Sequence, residues 1–161
     1  NYDAMLFLSV ISGRNPHYLI GEQVISAPII KDLGLEAIPT GYILLDGGIV
    51  TSVEFMSGTR PIPMDKKDIV ASHALAGQYL GMKSIYLEVG SGAKNHVKSG
   101  IIEHVSKFIS IPIIVGGGIS SPEIAAKMVK AGASIVVVGT AIEKNPNSMG
   151  DFARAVHWNE K

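Results

Sequence analysis

The sequence predicts an α/β fold in which parallel strands alternate with helices. Short β-branched apolar runs end in glycine, and a strand-then-helix pattern repeats five times at about 30 residues per unit. The runs Ile111–Ile119 and Ser134–Ala141 show this most clearly, and paired strand ends of this kind commonly form the phosphate site of a (β/α)8 TIM barrel. We therefore expect residues 1–161 to be a single domain that holds strands 4 to 8 of such a barrel and lacks roughly three βα units at its amino end. An open doubly wound sheet is the alternative.

The first unit begins with a strand at Ala4–Val10. Asn15 can cap the following helix, because its side-chain oxygen can accept a hydrogen bond from an N–H group of the first turn. The expected apolar face of this helix consists of Ile20, Val24 and Ala27. Pro28 is expected to kink or end the helix, because proline lacks the N–H that the helix needs.

The second unit begins with a strand at Gly41–Leu45. The run Ile49–Phe55 is predicted as a short hairpin strand outside the main pattern. Asp65 can cap a helix from about Lys66 to Leu80, and Gly81 ends that helix.

The remaining units follow the same pattern, with strands at Ser84–Val89, Ile111–Val115 and Ile135–Val138. Ser120 and Glu123 form a capping box at the fourth helix, with Pro122 in its first turn. The residues expected to face the core are Ile101, Val105 and Phe108 in the third helix and Ile124, Met128 and Ala131 in the fourth. A last helix is predicted at Met149–Val156, with Trp158 as its anchor.

Composition excludes several classes of protein. Hydrophobic residues make up 47% of the 161 residues, so the chain is expected to be globular rather than disordered. Fourteen basic residues balance 14 acidic ones, so no overall field attracts nucleic acid or an anionic membrane. The sequence has no cysteine and no apolar run of about 18 residues. We therefore expect no disulfides, no stable membrane insertion and a cytoplasmic location.

Glycines end two neighbouring predicted strands, at Gly116, Gly117 and Gly118 and again at Gly139. Backbone N–H groups at such positions can approach an anion closely, and a helix that starts nearby adds the positive end of its dipole. The hydroxyl of Thr140 can donate a further hydrogen bond. These features predict a phosphate site, although the same glycines could serve only tight turns.

A second group of candidate residues follows the third predicted strand. Tyr86 and Glu88 share one face of that strand, opposite Leu87 and Val89, because side chains alternate along a strand. A carboxylate in a buried strand needs a polar partner, so Glu88 is a candidate to bind hydroxyl groups or to accept a proton, with Tyr86 on the same ligand. Further backbone donors are offered by Gly90, Ser91 and Gly92. The alternative is that Glu88 pairs with a lysine or arginine and Tyr86 belongs to the core.

Six segments in order along nearly the whole chain carry a family resemblance: Arg14–Pro16, Ile38–Tyr42, Arg60–Pro63, Tyr86–Ala93, Val115–Glu123 and Val137–Glu143. Together they resemble archaeal geranylgeranylglyceryl phosphate synthase. The resemblance implies a TIM-barrel prenyltransferase of phospholipid biosynthesis. It would join the C3 hydroxyl of sn-glycerol 1-phosphate to geranylgeranyl diphosphate, release diphosphate, use Mg²⁺ and form homo-oligomers.

The same resemblance implies the roles of individual residues. Glu88 would hold the glycerol hydroxyls and help to deprotonate the attacking one, and Tyr86 would position that group. The implied sn-glycerol 1-phosphate site comprises Tyr86, Leu87, Glu88, Val89, Gly90, Ser91, Gly92, Gly117, Gly118, Gly139 and Thr140. The family's Mg²⁺ ligands lie on an early Lys-Leu-Asp-Pro segment that this sequence does not contain, so no metal ligand is predicted in it.

Several alternatives stay open from the sequence. Another phosphate-binding barrel enzyme, such as a heptaprenylglyceryl phosphate synthase or a sugar-phosphate isomerase, would share the glycine pattern, as would a non-catalytic phosphate-binding barrel fragment. Arg14, Arg60 and Lys94 follow predicted strand ends and are either diphosphate contacts or solvated surface charges. Candidates for the prenyl groove are Pro28, Tyr42 and the apolar residues of the helix between Ile20 and Ile30.

Overall fold

One parallel sheet organises the protein, whose computed structural model describes residues 2–157. The strands are β1 (Ala4–Val10), β2 (Glu36–Leu44), β3 (Ser84–Glu88), β4 (Ile113–Gly116) and β5 (Ile135–Val137). Each strand pairs with the next strand along the chain in the parallel sense, so the order in space is the order in sequence. The predicted α/β class with parallel strands is confirmed.

Helices connect the strands in the described residues. They are α1 (Glu22–Asp32), α2 (Ser52–Ser57), α3 (Lys67–Tyr79), α4 (Ser99–Ser106), α5 (Pro122–Lys130), α6 (Thr140–Lys144) and α7 (Met149–Val156). A π-helical turn at His17–Gly21 precedes α1, and a 3₁₀ turn at Pro146–Ser148 precedes α7. In residues 2–157, no helix combines the length and the apolar character that crossing a membrane requires.

The two faces of the sheet have different surroundings. Odd-numbered residues of the central strands, such as Ile43, Leu87 and Val115, pack with helical residues in one hydrophobic core. Even-numbered residues face the other way, and the register places Tyr42 beside Tyr86 and Leu44 beside Glu88. This second face carries the residues of the candidate site at the carboxyl ends of the strands.

Helical residues complete the core on the odd-numbered face. From α3, α4, α5 and α7 these are Val70, Ala71, Ala74, Ile101, Ile102, Val105, Ala125, Met128 and Phe152. Among the residues predicted to face the core in the third and fourth helices, Phe108 is the exception, because it lies beyond the end of α4 and is 48% exposed. Trp158 lies outside the described residues.

The predicted strands agree well with the structure, and β1 and α7 have the expected bounds. β2 is the main difference, since it starts at Glu36 rather than Gly41. Pro39 interrupts the apolar pattern there, and proline in a run argues against a strand. The Pro39 carbonyl nevertheless accepts a hydrogen bond from the Lys83 N–H at 2.7 Å, which ties this part of β2 to the segment before β3.

The prediction of a hairpin strand at Ile49–Phe55 is wrong, because the chain forms α2 there. The Thr51 hydroxyl oxygen accepts a hydrogen bond from the Glu54 N–H at 3.4 Å and so caps the helix. Gly58 then ends it in the left-handed conformation, with φ of +62°. The spacing of Thr51 and Glu54 is typical of a helix start, but the apolar residues of this run favoured a strand in the prediction.

Two of the predicted helix caps are also wrong. Asp65 does not cap α3; the residue before that helix is Lys66, whose ammonium group lies 3.3 Å from the Asp65 carboxylate. At α5 the capping residue is Ser121 rather than Ser120, and its hydroxyl oxygen accepts from the Ile124 N–H at 3.5 Å. A hydrogen bond with the Ser121 side chain lowers the pKa of Glu123. Pro122 begins the helix as expected.

The predicted apolar face of the first helix is exposed instead of buried. Ile20 and Val24 are 59% and 64% exposed, while Gln23 and Ile30 are buried. The backbone hydrogen bonds of the π-helical turn span five residues instead of the four of an α-helix. Apolar positions counted at α-helical spacing through this turn therefore do not fall on the buried face of α1. Pro28 lies inside α1 without ending it. Asn15 accepts a hydrogen bond from the His17 N–H at 3.0 Å, as its predicted capping role requires.

Candidate functional site

Glu88 lies at the carboxyl end of β3 and is only 7% exposed. One of its carboxylate oxygens, Oε1, accepts a hydrogen bond from the Gly90 N–H at 2.8 Å. The Tyr86 hydroxyl donates a second hydrogen bond to the same carboxylate. Among the described residues, no lysine or arginine forms an ion pair with Glu88. The predicted alternative of a Glu88 ion pair is therefore not what this part of the chain forms.

Burial raises the pKa of Glu88 and of the two tyrosines beside it, Tyr42 and Tyr86. Desolvation raises the pKa of Glu88, and the hydrogen bonds from Tyr86 and Gly90 oppose that shift without cancelling it. The pKa values of Tyr86 and Tyr42 are raised well above the usual tyrosine range, first by burial and then by the nearby charge of Glu88. Both tyrosines therefore stay protonated at neutral pH, and Glu88 is the group that can exchange a proton.

The two aromatic rings beside Glu88 contact each other. Tyr42 and Tyr86 are register partners on β2 and β3, and their ring centroids lie 5.4 Å apart at 66°. This edge-to-face packing holds both rings on the face of the sheet that Glu88 occupies.

The loops after β3 and β4 approach each other so closely that side chains are excluded. Gly90 has φ of +90°, and a Cβ at this position would lie 2.7 Å from the Cβ of Thr51. Gly117 has φ of +82°, and its Cβ would collide with the Glu88 carboxylate and lie 2.6 Å from the Cγ2 of Val89. Gly118, with φ of +65°, packs in the same way against the backbone of Asn95. Glycine is therefore required at these three positions.

The loop after β5 is different. Gly139 precedes α6 with a negative φ of −107°, and a Cβ there would meet nothing within 4 Å. Thr140 is the first residue of α6. The sequence predicted the same role for the glycines after β4 and after β5. In the structure, steric contacts exclude a side chain only after β4.

A cavity of about 840 Å³ joins these elements. The predicted site residues that line it are Tyr86, Glu88, Gly90, Ser91, Gly92, Gly117, Gly118, Gly139 and Thr140. Leu87 and Val89 do not line it, because their side chains are fully buried in the core between the sheet and the helices. Any contribution of these two residues to a ligand would come from their backbone.

Several lining residues were not predicted from the sequence. They are Ser52, Val53, Ala93, Ile119, Ser120, Pro122, Val137, Ala141, Lys144, Asn145, Ser148 and Phe152. Those from α2 and α6 belong to short helices that periodicity does not reveal. Tyr42, which the sequence suggested for the prenyl groove, lines the cavity. Lys94, which the sequence suggested as a diphosphate contact or a surface charge, lines it as well.

The two arginines suggested as diphosphate contacts lie elsewhere, since neither lines the cavity. Arg14 donates to the Gly13 carbonyl at 2.8 Å and lies 3.5 Å from the Nε2 of His73. Among the described lining residues, Glu88 has the only carboxylate, and Lys94 and Lys144 provide the cationic groups.

The described residues do not fit a magnesium site. Within residues 2–157, no three His, Cys, Asp or Glu side chains lie close enough together to hold a metal ion. Mg²⁺ is usually bound through one or two carboxylates together with substrate phosphates, and the one carboxylate in the cavity already accepts two protein hydrogen bonds. No step of the chemistry therefore rests on a metal bound by these residues.

Comparisons with known proteins point to one family. The sequence matches the PcrB family over residues 1–156. It is 53% identical over 155 residues to a geranylgeranylglyceryl phosphate synthase of Chitinophaga pinensis, covering 96% of this chain and 62% of that protein. It is 44% identical over 156 residues to the synthase of Methanopyrus kandleri, covering 97% and 64%. The chain thus spans slightly under two thirds of the length of these relatives.

Solved structures agree. The crystal structure of (S)-3-O-geranylgeranylglyceryl phosphate synthase from Thermoplasma acidophilum, in complex with substrate sn-glycerol-1-phosphate, matches with a TM-score of 0.87 and 35% identity. That match covers 96% of this chain and 62% of the other. The wild-type synthase from Thermoplasma volcanium matches with a TM-score of 0.85 and 34% identity, covering 96% and 61%.

Proposed function

Because this chain belongs to the PcrB family, we propose that it carries the glycerol-phosphate site of a prenyltransferase. The reaction joins the C3 hydroxyl of sn-glycerol 1-phosphate to geranylgeranyl diphosphate and releases diphosphate, the first ether bond of a membrane lipid. Three relatives that carry this name match along 96% or more of the chain at 44–53% identity.

The observation that carries the proposal is the position of Glu88. Its carboxylate opens into the cavity at the carboxyl end of β3, and the glycine loops after β3 and β4 lie directly beside it. A small phosphorylated alcohol needs both features, a hydroxyl-binding carboxylate and an unobstructed backbone for its phosphate. The Thermoplasma acidophilum enzyme, which was solved with sn-glycerol-1-phosphate, matches 96% of this chain and supports the choice of this substrate.

The glycine loops are proposed to hold the phosphate. Backbone N–H groups can reach an anion where no side chain intervenes, and Gly92, Gly117 and Gly118 all have positive φ. The Gly90 N–H instead donates to the Glu88 carboxylate. Lys94 and Lys144 add positive charge to the same cavity. Gly139 and Thr140 lie on its β5 side, and the Thr140 hydroxyl is a further donor.

Glu88 is proposed to bind the glycerol hydroxyls and to accept the proton of the one that attacks. In the transfer, an electron pair of the C3 oxygen forms a bond to C1 of the prenyl chain, and the bond from C1 to the diphosphate oxygen breaks. The hydroxyl proton passes to the carboxylate. A raised pKa suits this role, because a base works best when its pKa lies near the working pH. Tyr86 orients the carboxylate through its hydrogen bond.

We also propose that the five strands are the last five of an eight-stranded barrel. Strand order follows chain order, whereas a doubly wound sheet reverses direction at a switch point. Two apolar side chains of β5 lie on the same face of the sheet and are exposed, Ile135 at 50% and Val137 at 40%, and Val137 also lines the cavity. Further strands would cover them in a closed barrel. A homo-oligomeric state, the use of Mg²⁺ and a cytoplasmic location remain predictions.

The test is formation of the ether product from sn-glycerol 1-phosphate and geranylgeranyl diphosphate, followed by mass spectrometry of the purified protein's product. Glu88→Gln keeps the shape of the side chain but removes its basicity, so we expect turnover to fall about 10²–10⁴-fold. Glu36→Gln, at an exposed glutamate where β2 begins, is the matched control and should turn over normally. Absence of ether product with the unmodified protein, or full turnover by Glu88→Gln, would refute the proposal.

A further inference from the structure

We propose that the aromatic ring of Tyr42 stabilises the positive charge that develops on the allylic carbons of the prenyl substrate. This inference rests on the proposed function. It assigns a catalytic residue to the departure of the diphosphate from the prenyl chain, a step in which Glu88 takes no part. It concerns a side chain on β2, one strand away from the predicted catalytic pair.

Tyr42 lies where an aromatic ring can act on a bound substrate. It lines the cavity, yet only 8% of its surface is exposed. Its register partner on β3 is Tyr86, and the two rings pack edge to face with centroids 5.4 Å apart. The ring is therefore fixed in orientation and largely shielded from water.

Tyr42 also lies close to the acceptor of the hydroxyl proton. The charge of Glu88 acts on Tyr42 strongly enough to contribute to the raised pKa of its hydroxyl. When the C3 oxygen attacks, it must contact both the Glu88 carboxylate and C1 of the prenyl chain. The reacting carbon consequently lies on the same side of the sheet as the rings of Tyr42 and Tyr86.

The chemistry at that carbon calls for such a ring. As the bond from C1 to the diphosphate oxygen breaks, its electron pair leaves with the diphosphate and positive charge spreads over C1 and C3 of the allylic group. The electron pair of the glycerol oxygen then forms the new bond to C1, and the hydroxyl proton passes to Glu88. The face of an aromatic ring attracts a cation, and the attraction is larger where water is excluded.

Tyr42 is the ring through which this role can be tested cleanly. Tyr86 also donates a hydrogen bond to Glu88, so its substitution would disturb the carboxylate as well as the ring. The test therefore compares Tyr42→Phe, which keeps a ring, with Tyr42→Leu, which removes it. Tyr79→Leu is the matched control, since Tyr79 is 78% exposed at the end of α3 and does not line the cavity.

We expect Tyr42→Leu to lower kcat about 30-fold, which corresponds to about 2 kcal/mol of transition-state stabilisation. Its KM for sn-glycerol 1-phosphate should stay within about threefold, because the ring acts on the cation and not on the phosphate. Tyr42→Phe and Tyr79→Leu should both keep kcat within about threefold. Fluorinated phenylalanines introduced at position 42 weaken the ring's attraction for cations without changing its shape, so kcat should fall stepwise with each added fluorine.

Three results would overturn the inference while leaving the proposed function intact. In the first, Tyr42→Phe is as slow as Tyr42→Leu, which would assign the effect to the hydroxyl. In the second, Tyr42→Leu changes only KM, which would make Tyr42 a packing residue. In the third, kcat is insensitive to fluorination, a result that applies even if Tyr42→Leu fails to fold. Absence of ether product from the unmodified protein would instead refute the proposed function and the inference with it.

Discussion

The strand ends of β4 and β5 look alike in the sequence but differ in the structure. After β4, Gly117 has a positive φ and lies against the Glu88 carboxylate, so no other residue fits without displacing its neighbours. After β5, Gly139 has a negative φ and open space around its Cα. A glycine at the end of a strand therefore marks only a candidate loop, and packing against a neighbouring strand decides whether glycine is required there.

The largest effect is expected from Gly117→Ala. The added Cβ would collide with the Glu88 carboxylate and lie 2.6 Å from Val89, in a backbone conformation that costs a non-glycine residue energy. Left-handed strain and overpacking together predict a loss of about 2–5 kcal/mol in the free energy of unfolding. The KM for sn-glycerol 1-phosphate should rise at least about 100-fold, as measured by initial rates alongside chemical denaturation. Wild-type values in this variant would contradict the proposed close packing of the two loops.

An intermediate effect is expected from the titration of Glu88. Its pKa is raised in the folded protein, so between the unfolded value of 4.5 and the folded value the native state holds more protons than the unfolded state. The free energy of unfolding therefore falls as pH rises through this window, by about 1.4 kcal/mol for each pH unit that the window spans, and stays level above it. Glu88→Gln cannot titrate and should gain stability relative to wild type over the same window.

Chemical denaturation of both proteins from pH 4 to 8 measures that difference. Glu36→Gln controls for the loss of one carboxylate, because Glu36 lies exposed at the start of β2. A constant difference between Glu88→Gln and wild type across the range would mean that burial does not perturb Glu88.

The smallest effect is expected from Gly139→Ala, the same chemical change as Gly117→Ala at the other strand end. Because the new methyl group meets nothing within 4 Å and φ is negative, the free energy of unfolding should change by less than about 0.5 kcal/mol. The KM for sn-glycerol 1-phosphate should change by less than about threefold. A rise in KM as large as that of Gly117→Ala would contradict this expectation. It would show that the bound ligand leaves no room for a side chain at position 139.

Some features of the site were predictable from short-range pattern alone. Side chains alternate along a strand, so placing Glu88 in a strand at once puts Tyr86 on its face and Leu87 and Val89 on the other. The structure places these four residues in that arrangement, with Leu87 and Val89 in the core. The same alternation explains why the side chains of Leu87 and Val89 do not line the cavity, although the family resemblance included them in the site.

Other features could not be predicted, because they depend on contacts between distant segments. The run Ile49–Phe55 has the composition of a strand, but no partner strand is available to it in the described sheet, and Thr51 caps a helix there instead. Thr51 also packs against Gly90, which lies 39 positions later in the chain. Such pairings leave no periodic trace in either segment.

Local apolar periodicity and backbone alternation were enough to predict the α/β class, the approximate positions of the five strands and the face on which Glu88 and Tyr86 lie. The folded arrangement was needed to show which glycines are required, which short helices border the cavity and that Tyr42 packs against Tyr86 beside the buried carboxylate. Steric exclusion, desolvation and ring packing arise between segments that are far apart in the chain. They therefore depend on how strands and loops pack, and not on the order of residues within any one segment.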